Sequence, residues 1–345
     1  MNINIRKNIV SVALSVIITI IISFLLLLIL KKDPVQIYSL MLKDIFASGY
    51  GIGQTLFKTT PLILLGCGLA LCFHASIFNI GAEGQLNAGS FVIGIVLYYL
   101  SPLPAFFAVP VSIIAGMLVS SLFGIIPALI KIKKGVSEVI TTIMLNFVVL
   151  GLINYFLLRF FAVKATMHSE KINDSFMFPK LSVYSDIFQG STVNISIILA
   201  LITAVCCYIV IYKTKYGYKL RAIGFNPTAS KYIGVDVSKI IFSSFTIGAA
   251  LTAFAGVNFI LGYKGYYEFG FSNNIGFTAI AVTLLAKNNP IGIIFSAFLF
   301  GILDYGGLVV NEIVPKEIML VVQGVIILAI FSVDKIVKNY YLKKG

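Results

Sequence analysis

Between Leu86 and Ile130 the chain runs for 45 residues without one charged side chain. A soluble globule keeps one face of each element polar, whereas lipid asks for apolar residues on every side, so a run of this length is written for a membrane. Ser101-Pro102-Leu103-Pro104 in its middle divides it into two helices joined by a tight turn, because proline cannot continue a helix and disfavours helical geometry in the residue before it. Runs of the same kind recur at 9–30, 59–73, 139–158, 193–212, 240–263, 269–286, 288–303 and 318–333. The fold predicted is all-α and polytopic, with about ten transmembrane helices. Several runs are short for a hydrocarbon core of roughly 30 Å, so one or more helices are expected to be broken or shielded by protein.

Composition agrees, since 59% hydrophobic against 11% charged residues leaves too little polar surface to coat a soluble body of 345 residues. The net charge of +13 does not point to nucleic acid, because Lys and Arg stand in short clusters between apolar runs. With the N-terminus inside, 16 of the 26 basic residues fall on the cytoplasmic side, which predicts an N-in, C-in topology. Residues 1–345 then form a single transmembrane domain, with a cytoplasmic loop at 213–240 and an external loop at 159–192. The first run follows Arg6 and Lys7 as a secretory signal would, yet its 22 residues are too many for a signal core, and a retained helix is expected. Cys67, Cys72, Cys206 and Cys207 all lie in apolar runs and read as packing residues; His74 and His168 belong to no metal-ligand pattern.

The segment Phe78-Asn79-Ile80-Gly81-Ala82-Glu83-Gly84-Gln85-Leu86-Asn87-Ala88-Gly89 places a carboxylate, three amides and three glycines between two apolar runs. Glycine admits non-helical angles, and free backbone groups at membrane depth are tolerated only beside protein or a water-filled cavity. Asn79, Glu83, Gln85 and Asn87 are therefore candidates for the wall of a translocation path; the alternative is a polar turn at the cytoplasmic surface. Asn146, Asn154 and Asn258 lie inside spans, where an amide either bonds a neighbouring helix or faces a ligand, and Asn146 and Asn258 join the candidate path. Glu83 is the one strong intramembrane carboxylate in this reading, and its expected role is to accept hydrogen bonds from interrupted backbone.

In the cytoplasmic loop, Asn226 suits an N-cap, Pro227 a first helical residue and Gly234 a left-handed terminator, so a helix is encoded over about 227–233. Two turns are marginal alone in water, which suggests docking on a partner; a basic loop lying on anionic headgroups is the alternative. The dipeptide Gly-Lys never occurs, so no phosphate loop of the Walker type can be written. No nucleophile-with-base motif is present either, and scarce intramembrane charge argues against a proton- or sodium-driven carrier.

Four segments then carry a resemblance. Residues 78–85, Gly135-Val136-Ser137-Glu138-Val139-Ile140-Thr141-Thr142-Ile143-Met144-Leu145-Asn146, Leu220-Arg221-Ala222-Ile223-Gly224-Phe225-Asn226-Pro227, and 279–292 are similar, in order, to the ABC-importer permeases of the ribose, branched-chain amino acid and nucleoside type. The nucleoside group, linked to basic-membrane-protein lipoproteins, is the nearest in pattern. Phe225 and Ser230 depart from it, standing where the family often has a polar residue and Ala. The resemblance implies a multi-pass permease in the bacterial cytoplasmic membrane and not an enzyme. It implies a separate ABC ATPase subunit, possibly tandem, that uses the ATP, with no cofactor bound by this chain. It also implies a second permease chain forming a heterodimer and an external substrate-binding lipoprotein. Arg221, Gly224, Asn226, Pro227, Thr228 and Gly234 would couple to the ATPase, and the imported substrate would be a nucleoside, with a simple sugar or branched-chain amino acid as alternatives.

Overall fold

In a computed structural model, residues 20–315 are described without interruption, together with 14, 17, 18, 318, 320–325, 328, 329, 332 and 333. Parts of the expected first and last spans, and the C-terminal tail, lie outside the described residues.

Among the described residues all regular elements are helical, with three isolated bridges in the loops. A short apolar helix α1 (Ile20–Ile29) leads to α2 (Pro34–Ala47), which Asp33 caps by accepting from the Val35 and Gln36 N–H groups. Next come α3 (Gly49–His74), α4 (Ala82–Tyr99), α5 (Ala105–Lys134) and α6 (Glu138–Phe156). A π-helical turn extends α6 to Phe161, and three short 3₁₀ turns stud the loop before α7 (Ser196–Lys213). Two shorter helices follow, α8 (Lys215–Phe225) and α9 (Pro227–Tyr232). The last group is α10 (Val237–Phe254), α11 (Val257–Phe259) with a π turn to Lys264, α12 (Ile275–Leu285) and α13 (Pro290–Val309). Asp236 opens α10 by accepting from the Lys239 N–H, a bond that holds its carboxyl below the usual carboxylate range.

Among the described residues six helices are long and apolar enough to cross a membrane: 49–74, 105–134, 138–161, 196–213, 237–264 and 290–309. Their surroundings differ. Buried residues make up 89% of the apolar window in α3 but 22% in α6, so α3 is the central post and α6 a peripheral one. The two windows have nearly the same mean hydropathy, 1.8 and 1.9; packing, not hydrophobicity, separates them, as expected where lipid is as apolar as a core. Glycine supplies the closest approaches. A Cβ on Gly68 of α3 would stand 2.6 Å from the Gly248 carbonyl oxygen of α10, and one on Gly116 of α5 would stand 2.7 Å from the Gly89 carbonyl oxygen of α4.

The turn expected at 101–104 separates α4 from α5, and the helix expected at 227–233 is α9, with Asn226 as its cap, Pro227 at its first position and Gly234 at φ +82°. Two expectations need correction. The run 269–286 is not helical throughout, because α12 begins only at Ile275 and residues 265–274 are irregular. Apolar runs also understate the spans: α3 and α13 extend past the run ends to include Lys58 and Asp304, so Glu83 is not alone as an intramembrane charge.

Candidate functional site

Chain direction breaks between α3 and α4. Ala75 closes α3, Ser76 takes φ +55°, and residues 77–79 belong to no regular element. Extended backbone rises about 3.3 Å per residue and a helix about 1.5 Å, so two extended residues match one turn of helix. α6 uses that match: Glu138 Oε1 accepts the Phe78 N–H at 3.3 Å, and Thr142 Oγ1, one turn on, accepts the Ile80 N–H at 3.2 Å. Asn146, one turn further, donates to the Ile80 carbonyl and accepts the Gly84 N–H, both at 2.9 Å. Three polar side chains at i, i+4 and i+8 thus replace a neighbouring strand, and Gly84 is required because a Cβ there would stand 2.9 Å from Asn146 Oδ1. Asn79 accepts the Gly81 N–H at 3.0 Å and donates to Gln85 Oε1 at 2.9 Å.

A second break separates the α10–α11 helix from α12. Here the long loop between α6 and α7 supplies backbone partners. The Phe178 N–H reaches the Leu261 carbonyl at 2.7 Å, Ile172 reaches Gly265 and Ser169 reaches Tyr267, both at 2.8 Å, and the Phe269 N–H returns to Met167 at 2.9 Å. Asn273 and Asn274 then take left-handed angles, φ +45° and +64°, and Asn274 gives α12 no side-chain cap.

Glu83 fills that vacancy. Its carboxylate accepts the Gly276 N–H at 2.8 Å and the Ser272 hydroxyl at 2.5 Å, and Asn87 donates to both Glu83 and Ser272. The fully buried Tyr267 completes the set by donating to Asn87 Oδ1 at 3.2 Å. Because Glu83 is itself in the first turn of α4, the positive ends of two helix dipoles meet at one carboxylate. From Ile275 to Leu285 α12 is 11 residues, about 16 Å, and just beyond it the Asn288 carbonyl meets the His74 ring at the end of α3, 3.0 Å away. The junction therefore stands about 16 Å from that contact, half the thickness of a hydrocarbon core of roughly 30 Å.

All six residues expected along a path are buried, between 0 and 4% exposed. Asn79, Glu83, Gln85, Asn87 and Asn146 come together around the breaks. Asn258 stands apart in a second network, where it accepts from Ser196 at 2.7 Å and Asn194 at 3.2 Å and donates to the Phe57 carbonyl at 3.2 Å. The side-chain oxygen of Asn154 is buried without a partner among the described residues.

The open space lies elsewhere. A cleft of about 640 Å³ is walled by aromatic rings, among them Phe57, Phe259, Tyr263 and Tyr305, with Gln54 and Thr192 as polar partners. It shares Lys58, Phe259 and Phe271 with a smaller, deeper cavity of about 50 Å³ that reaches Ser272 and Asn273 beside the Glu83 junction. Lys58 and Asp304 bond at 2.9 Å where the two meet, each about a quarter exposed. Sequence reading missed this pair because each residue sits one position outside an apolar run; opposite charges at matching ends of two antiparallel spans were the available signal.

On the other side, a Cβ on Gly224 would stand 2.1 Å from the His74 carbonyl oxygen, and the Ser76 hydroxyl donates to the Gly224 carbonyl at 2.7 Å. Arg221 turns inward, donating to the Ile211 carbonyl and lying over the Tyr212 ring. Asn226, Pro227, Thr228 and Gly234 are exposed, as are Phe225 (90%) and Tyr232 (89%), a surface with apolar content and no described cover. Among the described residues no cluster of three or more His, Cys, Asp or Glu could hold a metal.

Residues 51–331 match the family described as branched-chain amino acid transport system / permease component. The chain is 35% identical over 300 residues to the nucleoside ABC transporter permease protein NupB of Lactococcus lactis, covering 83% of this chain and 81% of that one. It is 35% identical over 303 residues to the guanosine ABC transporter permease protein NupP of Bacillus subtilis, covering 86% and 85%. With the glucose ABC transporter permease protein TsgB13 of Haloferax volcanii it shares 30% over 318 residues, covering 88% and 82%.

Proposed function

The chain belongs to the branched-chain amino acid transport system permease family, and from that premise we propose that it is the membrane-spanning subunit of an ATP-driven importer of nucleosides. The observation that carries the substrate is its 35% identity, across more than four-fifths of both chains, to two permeases named for nucleosides and guanosine. The site chemistry supports the same choice. In many carriers, half-helix N-termini at mid-membrane bind an anionic group of the substrate. Here Glu83 already occupies that position at α12, so a carboxylate-bearing amino acid gains nothing there and a neutral substrate loses nothing. A cleft lined by Phe57, Phe259 and Tyr263 suits a base with a π-face. A simple sugar is the second reading, favoured by the identity to the glucose permease.

The proposed topology is N-in, C-in with about ten spans, in which α4 and the short α12 are the two that enter from opposite sides and meet at Glu83. Asn79, Glu83, Gln85, Asn87 and Asn146 shape the wall of the path by holding the breaks, while Asn258 fixes the helices that line its external mouth. The proposed partners are an ABC ATPase that consumes the ATP, a second permease chain and an external binding lipoprotein, all at the bacterial cell membrane. This chain binds no cofactor. ATPase closure acts on α9 and its flanks, Gly224 to Gly234, and the contact of Gly224 with His74 and Ser76 carries the motion to the first break.

The test is uptake of labelled guanosine into cells lacking their own nucleoside importers, supplied with the ATPase, second permease and binding lipoprotein, with and without this chain. ATP-dependent uptake only in its presence is expected; equal uptake without it contradicts the assignment. In the same cells Pro227→Gly or Gly234→Val is expected to abolish uptake with normal membrane insertion. A cysteine at Thr228 is expected to crosslink to the ATPase, and crosslinking to lipid alone would refute the coupling role.

A further inference from the structure

The Lys58–Asp304 pair is unusual for its place. A pair with each partner a quarter exposed adds little net stability, and the helices that carry it already pack tightly, since a Cβ on Gly301 of α13 would stand 2.3 Å from Thr59 Oγ1 of α3. A pin is therefore not needed to hold α3 to α13. What the pair has instead is open space: Lys58 lines both the wide cleft and the deeper cavity, and Asp304 lines the deeper one with Ser272, Asn273 and Gln323. An ammonium has three donors and a carboxylate about four acceptor sites, so one mutual contact leaves both with capacity directed at whatever enters.

We propose that Lys58 and Asp304 form a hydroxyl-binding site that reads the vicinal diol of a sugar-bearing substrate at the constriction between the two cavities. This deepens the importer reading above and rests on it. A diol donates two O–H bonds to the carboxylate and accepts one from the ammonium, so it can bridge the pair without separating the charges. Net neutrality at the site and the Glu83 carboxylate nearby disfavour a phosphate, which excludes nucleotides in favour of nucleosides. The free base lacks the diol and has no partner here. Ribose in a nucleoside and the ring of glucose both carry the feature, so the site admits either.

The test compares labelled guanosine with 2′,3′-dideoxyguanosine, and labelled D-glucose in parallel, in the complete importer carrying wild-type chain, Asp304→Asn or Lys58→Gln, with membrane amounts read by immunoblot. The binding lipoprotein is the same in every arm, so a change in the ratio of rates belongs to this chain. Wild type is expected to carry guanosine at least tenfold faster than the dideoxy compound. Each variant is expected to lose about tenfold on guanosine and less than twofold on the dideoxy compound, collapsing the ratio. Equal losses on both compounds, or none on either, would overturn the site while leaving guanosine import standing. Glucose uptake without guanosine uptake would remove the nucleoside reading, and a selective loss of glucose uptake in both variants would then keep the hydroxyl site. Wild-type uptake of neither removes both readings.

Discussion

Residues 75–81 and 265–274 both leave helical geometry, yet the first is held mainly by side chains of a neighbouring helix and the second mainly by the backbone of a distant loop. Glu138, Thr142 and Asn146 reach across from α6 to the first break, one per helical turn. The second is laced to the loop between α6 and α7 through four main-chain bonds at Leu261, Gly265, Tyr267 and Phe269. The difference teaches how a membrane protein interrupts a helix. Every freed N–H and C=O must find a partner inside protein, and side chains or a folded loop can each provide it. The two solutions then share one group, because the Glu83 carboxylate, rooted in α4, accepts the Gly276 N–H of α12.

The largest effect is expected where the breaks touch. An Ala at Gly276 would bring its Cβ within 2.6 Å of the Glu83 backbone nitrogen and 2.7 Å of its Cα, which no side-chain rotation relieves. Gly276→Ala is expected to cost about 3 kcal/mol and to abolish guanosine uptake, as measured by thermal unfolding of the purified complex and by transport. Normal stability would show that α4 and α12 do not meet so closely.

Next in size is the side-chain side of the comparison. Asn146→Ala leaves the Ile80 carbonyl and the Gly84 N–H without partners, and a loss of about 2 kcal/mol is expected in the same unfolding assay. Restoration by Asn146→Gln is not expected, because the longer side chain cannot keep both bonds beside Gly84. A neutral Asn146→Ala would mean that water replaces the amide.

The backbone side should be more tolerant of single changes. Ser169→Ala removes the hydroxyl that accepts the Tyr267 N–H and donates to the Glu170 carbonyl, while the main-chain bonds at Gly265, Tyr267 and Phe269 remain. About 1 kcal/mol is expected from unfolding curves, with uptake kept. A loss equal to that of Asn146→Ala would erase the contrast between the two breaks.

This contrast also decides what was legible in the sequence. Asn79, Glu83, Gln85, Asn87 and Asn146 announced the first break because polar side chains stand out among apolar residues, and α9 was legible because its cap, proline and terminal glycine are local signals. The second break was read as a continuous span over 269–286. Its supports are backbone groups about a hundred residues earlier in the chain, and backbone leaves no mark in composition. Lys58 and Asp304 were lost for another reason, since a search for uncharged runs ends each span at the charge it should include. Nor could the sequence tell that Asn258 would bond Asn194 and Ser196 in a network separate from the other amides.

Whether one carboxylate ties the two breaks together is tested most directly by a double-mutant cycle on stability. Glu83→Gln keeps an acceptor oxygen and should be milder than Glu83→Ala, while Ser272→Ala removes the hydroxyl that donates to Glu83 from the other break. With both changes made, the loss in unfolding free energy is expected to fall short of the sum of the single losses by about 1 kcal/mol, since the second change removes a bond the first has already weakened. Additivity within about 0.3 kcal/mol would contradict the shared carboxylate and leave the two breaks as independent structures.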